Sequence, residues 1–187
     1  MRRPLRTTVF AVVLAGALRI PATAAPPQIS PGGPEPRMFQ EFTRLVQEYV
    51  KLRKALPRER ITKRQDEIVD RRHTLAQAIH EARAGAKQGD IFTPDISEQF
   101  LKIIRSTLQG SANARKTIRQ GEPVASLRLS VNGAYPEHLP LTTVPPTLLL
   151  RLPQLPERIA YRIVGHDFVL QDTEARLVID FIPGAFP

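Results

Sequence analysis

The 187-residue chain has no cysteine. That excludes disulfide staples, a lipid-bearing thiol and any thiolate metal site, so packing alone must hold the fold. It also has no long apolar run. The longest begins at Val9 and stops at Leu18, short of the roughly 20 residues a helix needs to cross about 30 Å of hydrocarbon. Two motifs of reaction chemistry are missing as well: there is no G-x-S-x-G elbow and no glycine-rich phosphate loop following a strand. Covalent catalysis and nucleotide chemistry therefore find no support in the residues.

What is present begins with a leader pattern. Arg2, Arg3 and Arg6 precede the apolar run, and small residues stand at Ala22 and Ala24, the arrangement of a secretory signal peptide cut after Ala24. The expectation is an exported chain, periplasmic or secreted, that keeps no transmembrane segment. The formal charge is +9; residues 1–24 carry four arginines and no acid, so the remainder is +5. The excess sits in Pro26 to Glu122, with 18 basic against 12 acidic residues, whereas Pro123 to Pro187 holds 5 against 6. Outside the cytoplasm such a surplus suits another envelope protein or an anionic envelope surface, not nucleic acid, when it is more than a solvated helix surface.

The chain divides by texture into the leader 1–24, a Pro/Gly-rich linker 25–36, a helical region 37–120 and a Pro-rich region 121–187. In the linker "APPQISPGGPEP" denies regular structure. After it Met38, Phe42, Leu45, Tyr49, Leu52 and Leu56 recur at helical spacing, with Phe39, Val46 and Val50 widening the face, until Pro57. A second helix is expected from Thr62, with Gln65 completing a capping box and Ile61, Ile68, Leu75 and Ala82 as its seam, joined by Ile79 and Ala86. Gly89 suits its C-terminal cap. The short connection predicts an antiparallel helical hairpin. A third helix, opened by Thr93 and Pro94, carries Ile96, Phe100, Ile103, Ile104 and Leu108 on one face, and Ser111 to Gln120 suits one further short helix.

Beyond Gly121 frequent prolines forbid long helices. Leu127 to Val131 alternates into the turn signal Asn132-Gly133, which predicts a strand, and "TVPPTLLLRLP" suits one or two helical turns. Three short strands close the chain: Ile159 to Val164, Phe168 to Gln171 and Leu177 to Ile182. Alternation puts Ile159, Tyr161 and Ile163 on one face, and Leu177, Ile179 and Phe181 likewise. The fold class is therefore α+β: a helical hairpin plus third helix, then a three-stranded antiparallel meander.

Few residues invite chemistry. His73 and His80 stand seven apart on one helix, about 10 Å along its axis, too far to share a zinc ion bound at about 2.1 Å. Asp66, Asp70 and His73 at i, i+4 and i+7 form the best metal candidate, on the face opposite the seam where charge belongs in any case. "HEARAG" at His80 lacks the second histidine of a zinc protease, since Ala84 occupies that place. His166-Asp167 lies in a tight turn, and turn chemistry accounts for Asp167 and Asp172 as well. Asp180 is expected on the outward face of its strand, paired weakly across the meander with Arg162. An acid from a distant segment meeting His138 or His166 in a deep pocket is what an enzyme would require.

The segment "LPERIAYRIVGHDFVLQDTEARLVIDFI" resembles the small C-terminal module of the RcnB-like periplasmic proteins, through Leu155, Pro156, Tyr161, Arg162, Val164, Gly165, Asp167, Leu170, Val178 and Ile182. The resemblance covers about 30 residues and departs from the module at Thr173-Glu174-Ala175, where glycine is usual. It implies an accessory role in nickel or cobalt homeostasis. The whole chain also resembles a group of exported bacterial proteins that end in "VDFIP"-like strands and have no assigned activity; this implies an architecture and no mechanism. Together the residues point to a non-enzymatic binding or scaffolding protein of the envelope, without a cofactor.

Overall fold

A computed structural model describes residues 34–56, 65–119, 128–135 and 144–186, except for the side chains of 34–36, 65–66, 114–115, 117 and 119. Every core residue named below belongs to the compact unit Gly32–Pro187, which has its own core. The fold is α+β, in the order α1 (Pro34–Ala55), α2 (Gln65–Ala82), α3 (Pro94–Gly110), α4 (Ala112–Arg119), α5 (Pro146–Leu149), β1 (Ile159–Val164), β2 (Asp167–Asp172) and β3 (Leu177–Ile182). The strands form an open antiparallel sheet in the order β1-β2-β3.

Helix α1 starts at Pro34, inside the segment expected to be a linker. Prolines are compatible with a first turn, whose N–H groups have no intrahelical partner. Its buried face is Phe42, Val46, Tyr49 and Val50. The helix packed most closely on α1 is α3; α2 enters the same core through Ile79, with Leu75 and Ala76 against its margin. Of the expected seam, Leu75 and Ile79 meet the core, whereas Ile68 is only half-buried and Ala82 is exposed. The proposed Thr62 cap lies outside the described residues. Helix α3 buries Ile96, Phe100, Ile103, Ile104, Thr107 and Leu108. Thr93 makes no side-chain cap bond; Ser97 Oγ instead donates to the Phe92 carbonyl at 2.8 Å.

The core is an aromatic stack between helices and sheet. The Phe100 ring lies 5.0 Å from Phe42, 5.2 Å from Phe92, 5.9 Å from Phe168, 6.0 Å from Phe39 and 6.1 Å from Tyr161. One side chain of α3 therefore touches α1, the loop before α3 and two strands. Leu148, fully buried, anchors α5 to the same core. A smaller cluster of Tyr135, Val164, Val169 and Val178 lies on the other face of the sheet.

β3 departs from strict alternation. Val169 pairs with Phe181 and Leu170 with Asp180, but Gln171 pairs with Val178, so Ile179 is an extra residue, a β-bulge. The bulge inverts the faces beyond it: Leu177 and Ile179 join the main core, whereas Phe181 packs against the smaller cluster. Phe181 is accordingly not on the face of Leu177 and Ile179, contrary to the alternation of the sequence. The outer edge of β3 is covered by 132–135, through Asn132 N–H to the Val178 carbonyl at 2.8 Å, Val178 N–H to Gly133 at 2.9 Å and Tyr135 N–H to Arg176 at 2.6 Å. The strand expected at Leu127 to Val131 is not formed by its described part, and Leu127 lies outside the description; pairing begins one residue later. Asn132 takes a φ of 61° in the turn. A Cβ on Gly133 would come within 2.9 Å of the Ser130 carbonyl oxygen, which explains glycine there.

Because Phe100 joins so many elements, Phe100→Ala is expected to cost about 3–5 kcal/mol, while exposed Ala82→Ser changes stability by less than about 1 kcal/mol. Urea unfolding of the two variants checks the contrast.

Candidate functional site

Two carboxylates on the sheet, Asp172 and Asp180, are fully buried. An ionised carboxylate offers about four lone-pair sites and is costly to bury unless they are used. Asp172, at the end of β2, uses Oδ1 for the N–H groups of Glu174 (3.0 Å) and Ala175 (2.9 Å). Its Oδ2 accepts from the Tyr49 hydroxyl at 2.9 Å and lies 2.7 Å from Arg53 Nε, an ion pair whose N–H is not aimed at the oxygen. Arg53 also meets Glu174, which lies 3.7 Å from Arg71 and 3.8 Å from Arg158. One side of Asp172 thus closes its own turn, and the other fastens α1 to the sheet.

Asp180 is saturated in the same way. Oδ1 accepts from Gly89 N–H (3.0 Å) and Phe181 N–H (2.9 Å), and Oδ2 from Ile91 (2.8 Å) and Phe92 (2.7 Å). Gly89 reaches it with a φ of +91°, open to glycine at little cost. This role replaces both the helix cap expected of Gly89, since α2 ends at Ala82, and the outward position expected of Asp180. The bulge is the reason: the extra Ile179 turns Asp180 to the helix side of the sheet. Arg162, the partner expected for Asp180, instead donates to Gln171 Oε1 at 3.1 Å and to the Tyr161 carbonyl at 3.2 Å.

Arg83 joins the two centres. Its guanidinium lies over the Tyr49 ring, 5.2 Å from the centroid. Both terminal nitrogens donate to the Ile179 carbonyl at 3.3 Å, and one donates to Asn132 Oδ1 at 2.8 Å. Asn132 returns a bond from Nδ2 to the Arg83 carbonyl at 2.8 Å. Burial, the largest influence, lowers the pKa of Arg83, against the opposing pull of Tyr49, Asp180 and Asp90. Burial also raises the phenol of Tyr49, reinforced by the charge of Asp172, so this hydroxyl stays a donor. Burial raises Tyr135 and Tyr161 too, the latter donating to the Pro153 carbonyl at 3.0 Å.

The other residues singled out in the sequence stay apart. Asp70 and His73 are exposed on α2, and the side chain of Asp66 lies outside the described residues; among the described residues no three His, Asp or Glu side chains gather as metal ligands. His80 is exposed. His166 is exposed, with Nδ1 3.2 Å from the Phe186 carbonyl, and Asp167 accepts from Gly184 N–H at 2.9 Å. His138 lies outside the described residues. Arg53, Arg83 and the buried role of Asn132 were missed. Arg53 did carry a signal: it extends the stripe Phe42, Val46, Tyr49 by one more helical step, a charge where an apolar residue is due. No family model, curated protein or solved structure matches the chain.

Asp180→Asn leaves donors facing donors, and a loss of about 3 kcal/mol is expected. Urea unfolding measures it, and amide exchange at Ile91 and Phe92 should quicken. A change below about 0.5 kcal/mol would show that the carboxylate is no tie.

The chain's three tyrosines, Tyr49, Tyr135 and Tyr161, are all raised from the ordinary value of 10.0. A folded pKa above the unfolded one gives stability that is full below about pH 10 and lost as pH climbs beyond it. Alkaline titration followed at the tyrosinate absorbance should therefore show ionisation lagging a free-tyrosine curve and rising together with loss of the circular dichroism signal.

Proposed function

We propose that this is an exported envelope protein that binds or scaffolds and does not catalyse. The observation behind this reading is the saturation of Asp172 and Asp180. Both buried carboxylates spend their lone pairs on tying α1 and the loop before α3 to the sheet, leaving neither of the two free to take a substrate proton. The leader pattern of residues 1–24 supports export. The contacts with partners are made away from the outer edge of β3, which 132–135 already occupies, since a covered edge takes no added strand.

Recovery of the protein from its native envelope under mild cross-linking tests this reading. The expected product lacks residues 1–24 and comes with a reproducible envelope component. A chain that keeps its N-terminus in the cytoplasm, or is recovered alone, would overturn it. Stoichiometric nickel or cobalt in the recovered protein would favour the metal-homeostasis role that the RcnB-like resemblance implies.

A further inference from the structure

Two large apolar side chains are exposed among the described residues, and they are neighbours: Leu149 at 41% and Leu150 at 87%. They sit at the end of α5 on a fixed mount. Leu148 before them is fully buried, and Arg151 after them donates from Nη1 to Ser106 Oγ and Thr107 Oγ1 of α3, both at 2.8 Å. The α5 backbone closes as well, with Leu150 N–H on the Pro146 carbonyl at 3.0 Å. The leucines are therefore held outward, and no collapse of a loose loop will hide them.

The stretches of sequence that form α3, α4 and α5 are rich in cations. Between Glu98 and Glu122 the sequence holds Lys102, Arg105, Arg115, Lys116 and Arg119 and no acid, and between Glu137 and Glu157 it holds Arg151 and no acid. The structure packs the described parts of these stretches together, since α3 contacts both α4 and α5. Lys102, Arg105, Lys116 and Arg151 are all exposed. Lys102 has Glu98 at 2.8 Å one turn back, and nothing acidic follows it along α3. Exposed leucines next to Arg151, on a short helix packed against a helix with exposed Lys102 and Arg105, match the interface of an anionic bilayer, where the side chains enter the acyl boundary and the cations stay with the lipid phosphates. No described helix is long and apolar enough to cross a membrane, so the contact is a surface one.

We propose that Leu149 and Leu150, with the basic surface of α3, α4 and α5, form a docking site for an anionic lipid surface. The proposal deepens the binding reading above, on which it rests for the presence of an envelope membrane. The test uses the compact unit 32–187, so that the apolar run at 9–18 does not contribute. Co-sedimentation with vesicles of phosphatidylglycerol and phosphatidylcholine should show binding that is absent on phosphatidylcholine alone and fades as salt rises from about 0.1 to 0.5 M. The double variant Leu149→Ser/Leu150→Ser should weaken binding by about ten-fold or more, with an unchanged circular dichroism spectrum. Arg105→Glu should weaken it several-fold. No binding to anionic vesicles, or binding indifferent to the leucine pair, overturns the proposal. So does leucine-dependent self-association, or capture by an acidic protein, without vesicle binding. Failure with vesicles leaves the envelope recovery experiment unaffected, so the two readings fail separately.

Discussion

One extra residue in β3 decides how the helices meet the sheet. In a regular strand, residues two apart share a face, so with Ile179 toward the helices Asp180 would turn away from them. The bulge instead puts Ile179 and Asp180 on the helix side together. Asp180 then gathers the N–H groups of Gly89, Ile91 and Phe92, which have no other partner in that irregular loop. Without that carboxylate, buried Ile91 and Phe92 would carry unbonded donors into the core, at a cost of about 1–3 kcal/mol each. The Phe92 ring, held by this tie, stacks on Phe42 at 5.6 Å and meets Phe100. A backbone irregularity in the last strand thereby fixes the entry to α3 and the aromatic core. The bulge also disturbs the ladder and leaves the Ile179 carbonyl for Arg83 to satisfy.

Asp172 solves the matching problem at the other end of the sheet. Breaking a buried ion pair costs about 3–5 kcal/mol because one charge is left unpaired, although apolar replacement of the whole pair is often neutral. The advantage of Arg53 and Asp172 over two apolar residues is thus one of register. A slide of α1 by one turn, about 5.4 Å, would carry both the Tyr49 hydroxyl and Arg53 away from the carboxylate, whereas apolar neighbours tolerate many offsets. The two centres meet at Arg83, which touches Tyr49 from α1, Ile179 from β3 and Asn132 from the segment along the β3 edge.

Elements were legible in the sequence wherever the apolar period was regular. β1 and β3 fall at Ile159–Val164 and Leu177–Ile182 as expected, and α3 carries the expected face with Thr107 added. Periodicity failed where a polar interaction replaced an apolar one. Asp180 looks like an ordinary outward strand residue because a bulge leaves no mark in the alternation of single residues. The face expected of α2 holds at Leu75 and Ile79 but not at Ile68 and Ala82, and Ala76 joins it; with α3 as its nearest helix, α1 does not need the full length of α2. Asn132 and Gly133 read correctly as a turn, but nothing local told that the turn would lie along β3 and hold Arg83. Contacts separated by 49 residues for Arg83 with Asn132, and by 123 for Tyr49 with Asp172, lie beyond any local pattern.

Burial normally sorts charge outward, and this chain carries exceptions to that beside two leucines turned to solvent. The inward exceptions, Asp172, Asp180 and Arg53, find partners within the chain and so are explained by folding. Leu149 and Leu150 are different. Leu148 of the same helix is buried in the core, and the fold positions α5 firmly enough that these two have been given a direction, away from it. Exposing them gains the folded state nothing, since Leu150 forgoes most of the about 1.5–3 kcal/mol of full burial and Leu149 part of it. On the proposed reading their counterpart is a lipid surface, apolar within and anionic at its face, which the cations of α3 and Arg151 favour.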